Sequence, residues 1–197
     1  PWTQAWELHA AAAAAARYLG DQLGEANALK DLGLVLLATG DYPGAAQVLG
    51  QALGLYRDIG HRHGEADALN HLGIVRQMTG DYPGAAQVLE QALGLYRDLG
   101  GRLGEAEVLN HSGTLHRKLG NPEQALADHH CALELARAVG SPLEQARALD
   151  GAGRCALDRG DTATAVTQFR QALEIYQRLG VPEATQLATD LADLDAK

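Results

Sequence analysis

Glycine stands at positions 20, 40, 60, 80, 100, 120, 140, 160 and 180 of this 197-residue chain, one every twenty residues without a miss. A glycine just past the end of a helix adopts the left-handed conformation at little cost, so a strict spacing of this kind reads as the punctuation of equal helices. The stretch between two marks carries apolar residues at helical spacing. Ala85, Val88, Leu89, Ala92, Leu93, Tyr96 and Leu99 follow one another at three- and four-residue steps, which predicts an amphipathic helix packed along its length. New helix starts follow the glycines. Asp41, Asp81, Asn121, Ser141 and Asp161 occupy N-cap positions, and Pro142 and Pro182 lie in first turns that need no amide donor.

The true period is twice the glycine spacing. Residues 39 to 59 and 79 to 99 are identical except at Gly50 against Glu90 and Ile59 against Leu99. A segment recurring at a constant interval marks a stacked structural unit, not a site that is needed once. Superposing the chain on itself at that interval aligns Gly33, Gly73, Gly113 and Gly153. It also aligns Ala45, Ala85, Ala125 and Ala165, then Ala52, Ala92, Ala132 and Ala172, and finally Leu53, Leu93, Leu133 and Leu173. A mid-helix glycine costs about 1 kcal/mol of propensity, so small residues held there predict the close approach of two backbones in a tight antiparallel hairpin.

Composition sets the outer limits. At 46% hydrophobic residues the chain can bury a core, and a formal charge of −9 disfavours general attraction to nucleic acid phosphates or anionic lipid. Direct nucleic acid binding and membrane insertion are not expected. The longest apolar run, Ala11 to Ala16 with its neighbours, is too short for a membrane span and has no basic leader. Cys131 and Cys155 are too few for a disulfide framework and read as small buried residues in a reducing cytoplasm. The chain opens on Pro1 and its only methionine is Met78, so it is expected to be a piece of a larger protein.

Catalytic signatures are missing from the sequence. There is no G-x-x-x-x-G-K-[ST] phosphate loop, no dinucleotide fingerprint after a strand and no H-E-x-x-H pair. His61 and His63 fall in a linker, and His129, His130 and Cys131 point in successive helical directions that cannot converge on one ion. No metal, cofactor or catalytic residue is expected, and the chain reads as a non-enzyme.

The pattern A-L-N-H-L-G-I-V-x-x-x-x-G-D-Y-x-x-A-x-x-x-L-x-x-A-L, starting at Ala68, resembles the tetratricopeptide repeat family in its order of small and large positions. That family's usual repeat is about 34 residues, whereas here L-Y-R-D-L-G and a short linker extend the unit to forty. Extended units of this kind are similar to the C-terminal arrays of actinobacterial NB-ARC and SARP-type transcriptional regulators, and to repeats in animal scaffolds that orient the mitotic spindle. The resemblance implies an all-α fold, a right-handed α-α superhelix of about ten antiparallel helices. In that register residues 1–20 are the second helix of a truncated repeat, full repeats span 24–60, 64–100, 104–140 and 143–180, and 182–195 forms a C-terminal capping helix. That last helix is expected to bury Ala184, Leu187, Ala188, Leu191 and Leu194 and to turn Glu183, Gln186, Asp190 and Asp193 outward.

The resemblance also implies where recognition occurs. First helices of such repeats line a concave surface, which here would carry Lys30, Asp31, Asn70, His71, Ile74 and Gln77, then Asn110, His111, Thr114, Arg117 and Lys118, then Arg147 and Arg154. Asn70 and Asn110 present amides suited to an extended peptide's backbone. Arg117, Lys118 and Arg154 form a small basic zone. The family's carboxylate clamp is not matched, because Leu34 and His71 stand where it requires asparagine. The expected function is a protein- or peptide-binding module, the sensor or scaffold region of a cytoplasmic bacterial regulator. The alternative is a pure oligomerisation element with no groove ligand. Trp2, Trp6, Leu8 and the alanines from Ala10 leave residues 2–19 with an apolar strip expected to self-associate.

Overall fold

The computed structural model describes residues 2–195, and every regular element in them is helical. Ten helices follow in order: α1 (Trp2–Leu19), α2 (Gln22–Thr39), α3 (Tyr42–Asp58), α4 (Arg62–Thr79), α5 (Tyr82–Leu99), α6 (Arg102–Lys118), α7 (Pro122–Val139), α8 (Pro142–Asp158), α9 (Thr162–Leu179) and α10 (Glu183–Asp195). Each of the nine marker glycines has positive φ. At Gly40 the φ of 84° turns the chain so that Gly40 N–H donates to Leu37 O and Asp41 N–H to Leu36 O, closing the carbonyl end of α2.

The next helix begins at once. Asp41 accepts from Gly44 N–H at 3.0 Å, and Asp21, Asp81 and Asp161 do the same three residues ahead of them. Asn121 and Ser141 hold the cap position as expected but make no side-chain cap bond. His61, read from sequence as linker, is itself the cap of α4, with Nδ1 accepting from Gly64 N–H at 3.0 Å.

The chain forms two compact units, one ending at Gly100 and the other beginning at Gly101. In the first unit α2 and α3 run antiparallel. Tyr56 near the end of α3 donates its hydroxyl to Asn27 near the start of α2, at 2.7 Å, while Leu49 at mid-α3 lies against Gly33 at mid-α2. A Cβ added at Gly33 would fall 2.6 Å from Leu49 Cγ, and one at Gly73 would fall 2.5 Å from Leu89 Cδ2. The glycine column therefore admits a side chain of the partner helix rather than the partner's backbone. Each Leu so enclosed stabilises the unit by about 1.5–3 kcal/mol. Ala13, Ala26, Leu29, Ala52, Tyr56 and Ala68 complete a core drawn from α1 to α4.

The second unit repeats this scheme. Phe169 of α9 sits against Gly153 of α8, and Ala146, Leu149, Ala172, Tyr176, Leu187 and Leu191 join it in one core. Helix α10 packs on α9 through Leu187 and Leu191. Ala188, expected inside, is exposed, and Asp190, expected outside, is half-buried because it pairs with Arg154 at 2.9 Å. Two further expectations are corrected. Leu99 is 42% exposed at the end of its apolar stripe, and Cys131 is exposed on α7 while only Cys155 is buried.

Candidate functional site

In the first unit the expected face centres on Asp67 of α4. Lys30 Nζ lies 3.6 Å from one carboxylate oxygen, His63 Nε2 lies 3.9 Å from the other, and the Tyr96 hydroxyl donates to that same oxygen. His71 Nδ1 donates to the Asp67 carbonyl at 2.7 Å, and burial holds its pKa below the ordinary histidine value. Asp31 and Ile74 are half-buried beside them. Asn70 and Gln77 are buried, so their amides lie within the helix layer instead of on an open surface.

The second unit gathers its residues more tightly. Asn110, His111, Thr114 and Arg117 of α6, with Arg147 and Arg154 of α8, line one cleft of about 440 Å³. Lys118 is exposed and lies apart from that lining. Every cleft arginine is ion-paired. Arg117 meets Asp158 at 3.1 Å, Arg147 meets Glu144 at 2.7 Å, and Arg154 bridges Asp150 at 2.8 Å and Asp190 at 2.9 Å while lying over the Phe169 ring. The basic zone expected from sequence is thus largely neutralised by carboxylates from α8 and α10. Burial raises the Asp150 carboxyl pKa, with Arg154 opposing that shift.

Beneath the arginines is a buried polar set that the sequence reading did not connect. Glu144, 2% exposed, accepts from Asn110 Nδ2 at 2.9 Å through one oxygen and from Arg147 through the other. Asn110 Oδ1 in turn accepts from His129 Nδ1 at 3.2 Å. Asn110 is therefore occupied internally rather than offered to a ligand. With its proton on Nδ1, the His129 imidazole presents Nε2 as a lone-pair acceptor, buried and without a partner. Burial, helped by the charges of Arg117 and His130, pushes its pKa down to about 4, which keeps the ring neutral.

The repeat columns carry the signal that was missed. Position 129 aligns with Leu49, Leu89 and Phe169, so His129 is a polar substitute at a core position. Position 136 aligns with Tyr56, Tyr96 and Tyr176 but is alanine, and position 144 aligns with Gly24, Gly64 and Gly104 but is glutamate. The two changes are complementary. A Cβ at Gly64 would lie 2.3 Å from the Tyr56 ring, so removing the tyrosine at 136 opens the room that the Glu144 side chain enters.

Successive antiparallel helix pairs, with a glycine of one helix admitting a large residue of the next, define an all-α helical repeat protein. Family models described as tetratricopeptide repeat match residues 7–58, 66–102 and 104–178. The chain is an array of tetratricopeptide repeats. Among solved structures, BtubC (BKLC) from P. vanneervenii is similar with a TM-score of 0.79 and 17% identity, covering 98% of this chain and 83% of its own. A Rap protein complexed with Competence and Sporulation Factor is similar with a TM-score of 0.79 and 18% identity over 88% of this chain, which spans only 48% of that protein. MamA gives a TM-score of 0.57 at 19% identity, covering 85% and 96% of the two chains. No curated protein matches at the sequence level. Among the described residues no helix is long and apolar enough to cross a membrane, and no group of metal-ligating side chains converges.

Proposed function

We propose that the chain is a peptide-binding module whose ligand enters the cleft between α6 and α8 of the second unit. One observation carries this reading: side chains from two successive first helices converge on a single polar cavity large enough for several residues of an extended chain. The Rap protein of similar fold is complexed with a factor, which supports a binding role for this kind of array. Residues 24–60, 64–100, 104–140 and 143–180 serve as its forty-residue repeats, and the larger protein is a cytoplasmic bacterial regulator in which ligand occupancy biases a switch elsewhere. No catalytic step is assigned to it.

The test uses the full chain and a library of capped hexapeptides, with the best binder measured by calorimetry against Arg117→Glu and Arg57→Glu. Arg117 lines the cleft and Arg57 is an exposed control on α3. Loss of at least tenfold in affinity for the first variant and less than twofold for the second is expected. Equal effects would remove the cleft from consideration.

A second reading rests on α1. Trp2, Trp6 and Leu8 are 56%, 46% and 66% exposed, an apolar strip that a second copy could cover. Light scattering at rising concentration separates the two: association abolished by Trp6→Ser supports assembly through α1, and a monomer throughout removes it.

A further inference from the structure

We infer that His129 Nε2 is a built acceptor subsite at the floor of the second unit's cleft, taking a main-chain N–H of a bound peptide. This rests on the peptide-binding reading of the cleft and adds the atom that engages the ligand. A buried polar atom without a partner is costly, and it persists where something else satisfies it. His129 is 1% exposed, its Nδ1 proton is committed to Asn110 Oδ1, and Nε2 has only its lone pair to offer.

The surroundings are arranged around that lone pair. The other three repeats place Leu49, Leu89 and Phe169 at this position, and each fills its space without a polar atom. Room for the ring exists only because two positions lack side chains. A Cβ at Gly113 would lie 2.7 Å from Nε2, and one at Gly151 would lie 2.4 Å from it. Position 151 aligns with Asp31, His71 and His111, so glycine occurs in that column only next to the histidine. A histidine substituted at a core site and a glycine that leaves room for it form a matched pair.

The rim sets the ligand class. Each guanidinium above the ring already holds a carboxylate, so a second full negative charge gains little there. Arg117, whose NH1 alone meets Asp158, keeps further N–H groups of its guanidinium for carbonyl oxygens. Donors above and a lone-pair acceptor below match the alternating C=O and N–H of an extended main chain better than they match a phosphate.

The experiment takes the hexapeptide binder selected on the full chain and resynthesises it with each internal amide N-methylated in turn. Affinities are measured on the parent and on His129→Leu, the residue of the aligned columns. One methylated position should weaken binding to the parent by tenfold or more and weaken binding to His129→Leu by less than twofold. Imidazole nitrogen resonances of the parent, labelled with nitrogen-15 histidine, give a reading that needs no variant: Nε2 of His129 should move upfield on peptide addition. A peptide that binds with no such position and no movement of Nε2 overturns the subsite while leaving the cleft reading intact. If no hexapeptide binds at millimolar concentration, both fall.

Discussion

Acidification should unfold this protein through His129 more than through any exposed histidine. In the folded chain its pKa is pushed down to about 4, while the ordinary value is 6.5. The sign follows from which state takes the proton. Between those two values the unfolded chain protonates and the folded chain resists, so stability is complete above the upper value and drains away as pH falls toward the lower one. The interval is worth about 3 kcal/mol in full, of which about 2.5 kcal/mol has gone by pH 4.5. His71, also held below its ordinary value, acts in the same direction, whereas the raised Asp150 carboxyl acts in the opposite one. Urea unfolding at pH 7.5 and pH 4.5 on the parent and on His129→Leu isolates the imidazole by difference. The loss of the Asn110 partner in the variant is common to both pH values and cancels. The parent should lose about 2–3 kcal/mol more than the variant across the interval. A parent and variant that lose the same amount would refute the buried, neutral histidine.

Three further outcomes test the packing. Ala92→Leu places a large side chain where Ala92 has no exposed surface, and should cost roughly 1–3 kcal/mol in melting experiments, an unchanged midpoint counting against the register. Asp81→Ala removes a cap bond to Gly84 N–H and should cost about 1 kcal/mol, whereas Asn121→Ala, which removes none, should cost under about 0.5 kcal/mol; equal losses would sink the distinction. Glu144→Ala strips the buried partner from Asn110 and Arg147 and should cost about 3–5 kcal/mol in urea, against less than about 0.5 kcal/mol for the exposed control Glu134→Ala.

Periodic features were readable in advance because each depends on local chemistry alone. The glycine at position 40 and the aspartate at 41 specify a helix end and a helix start whatever surrounds them, and their recurrence pointed to about ten helices, the number the described residues form. Pairings across helices were less accessible. Asp190 looks solvent-facing on its own helix and is half-buried only because Arg154 reaches it from α8. Asn70 and Asn110 fall on the face expected to line a groove, yet both are buried, and Asn110 is engaged by Glu144 and His129 from neighbouring helices. Helical spacing tells which way a side chain leaves its own axis. It does not tell whether a neighbour has a carboxylate waiting there.

The repeats themselves supply the missing control, because four versions of one packing problem stand side by side in a single chain. Where Leu49 meets Gly33 and Leu89 meets Gly73, the solution is apolar and shut. At His129 the column glycine, Gly113, admits an imidazole, a second glycine, Gly151, makes room for it, the adjoining tyrosine position is alanine, and the buried Glu144 stands where the other repeats have glycine. Stability alone selects neither the histidine nor the glutamate, since each brings into the core a polar group that must be satisfied. Three of the four polar groups in the set are satisfied internally: the Glu144 carboxylate, the Asn110 amide and His129 Nδ1. The fourth, Nε2, is left unpartnered on a residue that lines the cleft, and that asymmetry is the reason to look for the ligand there and not on the faces where the repeats remain alike.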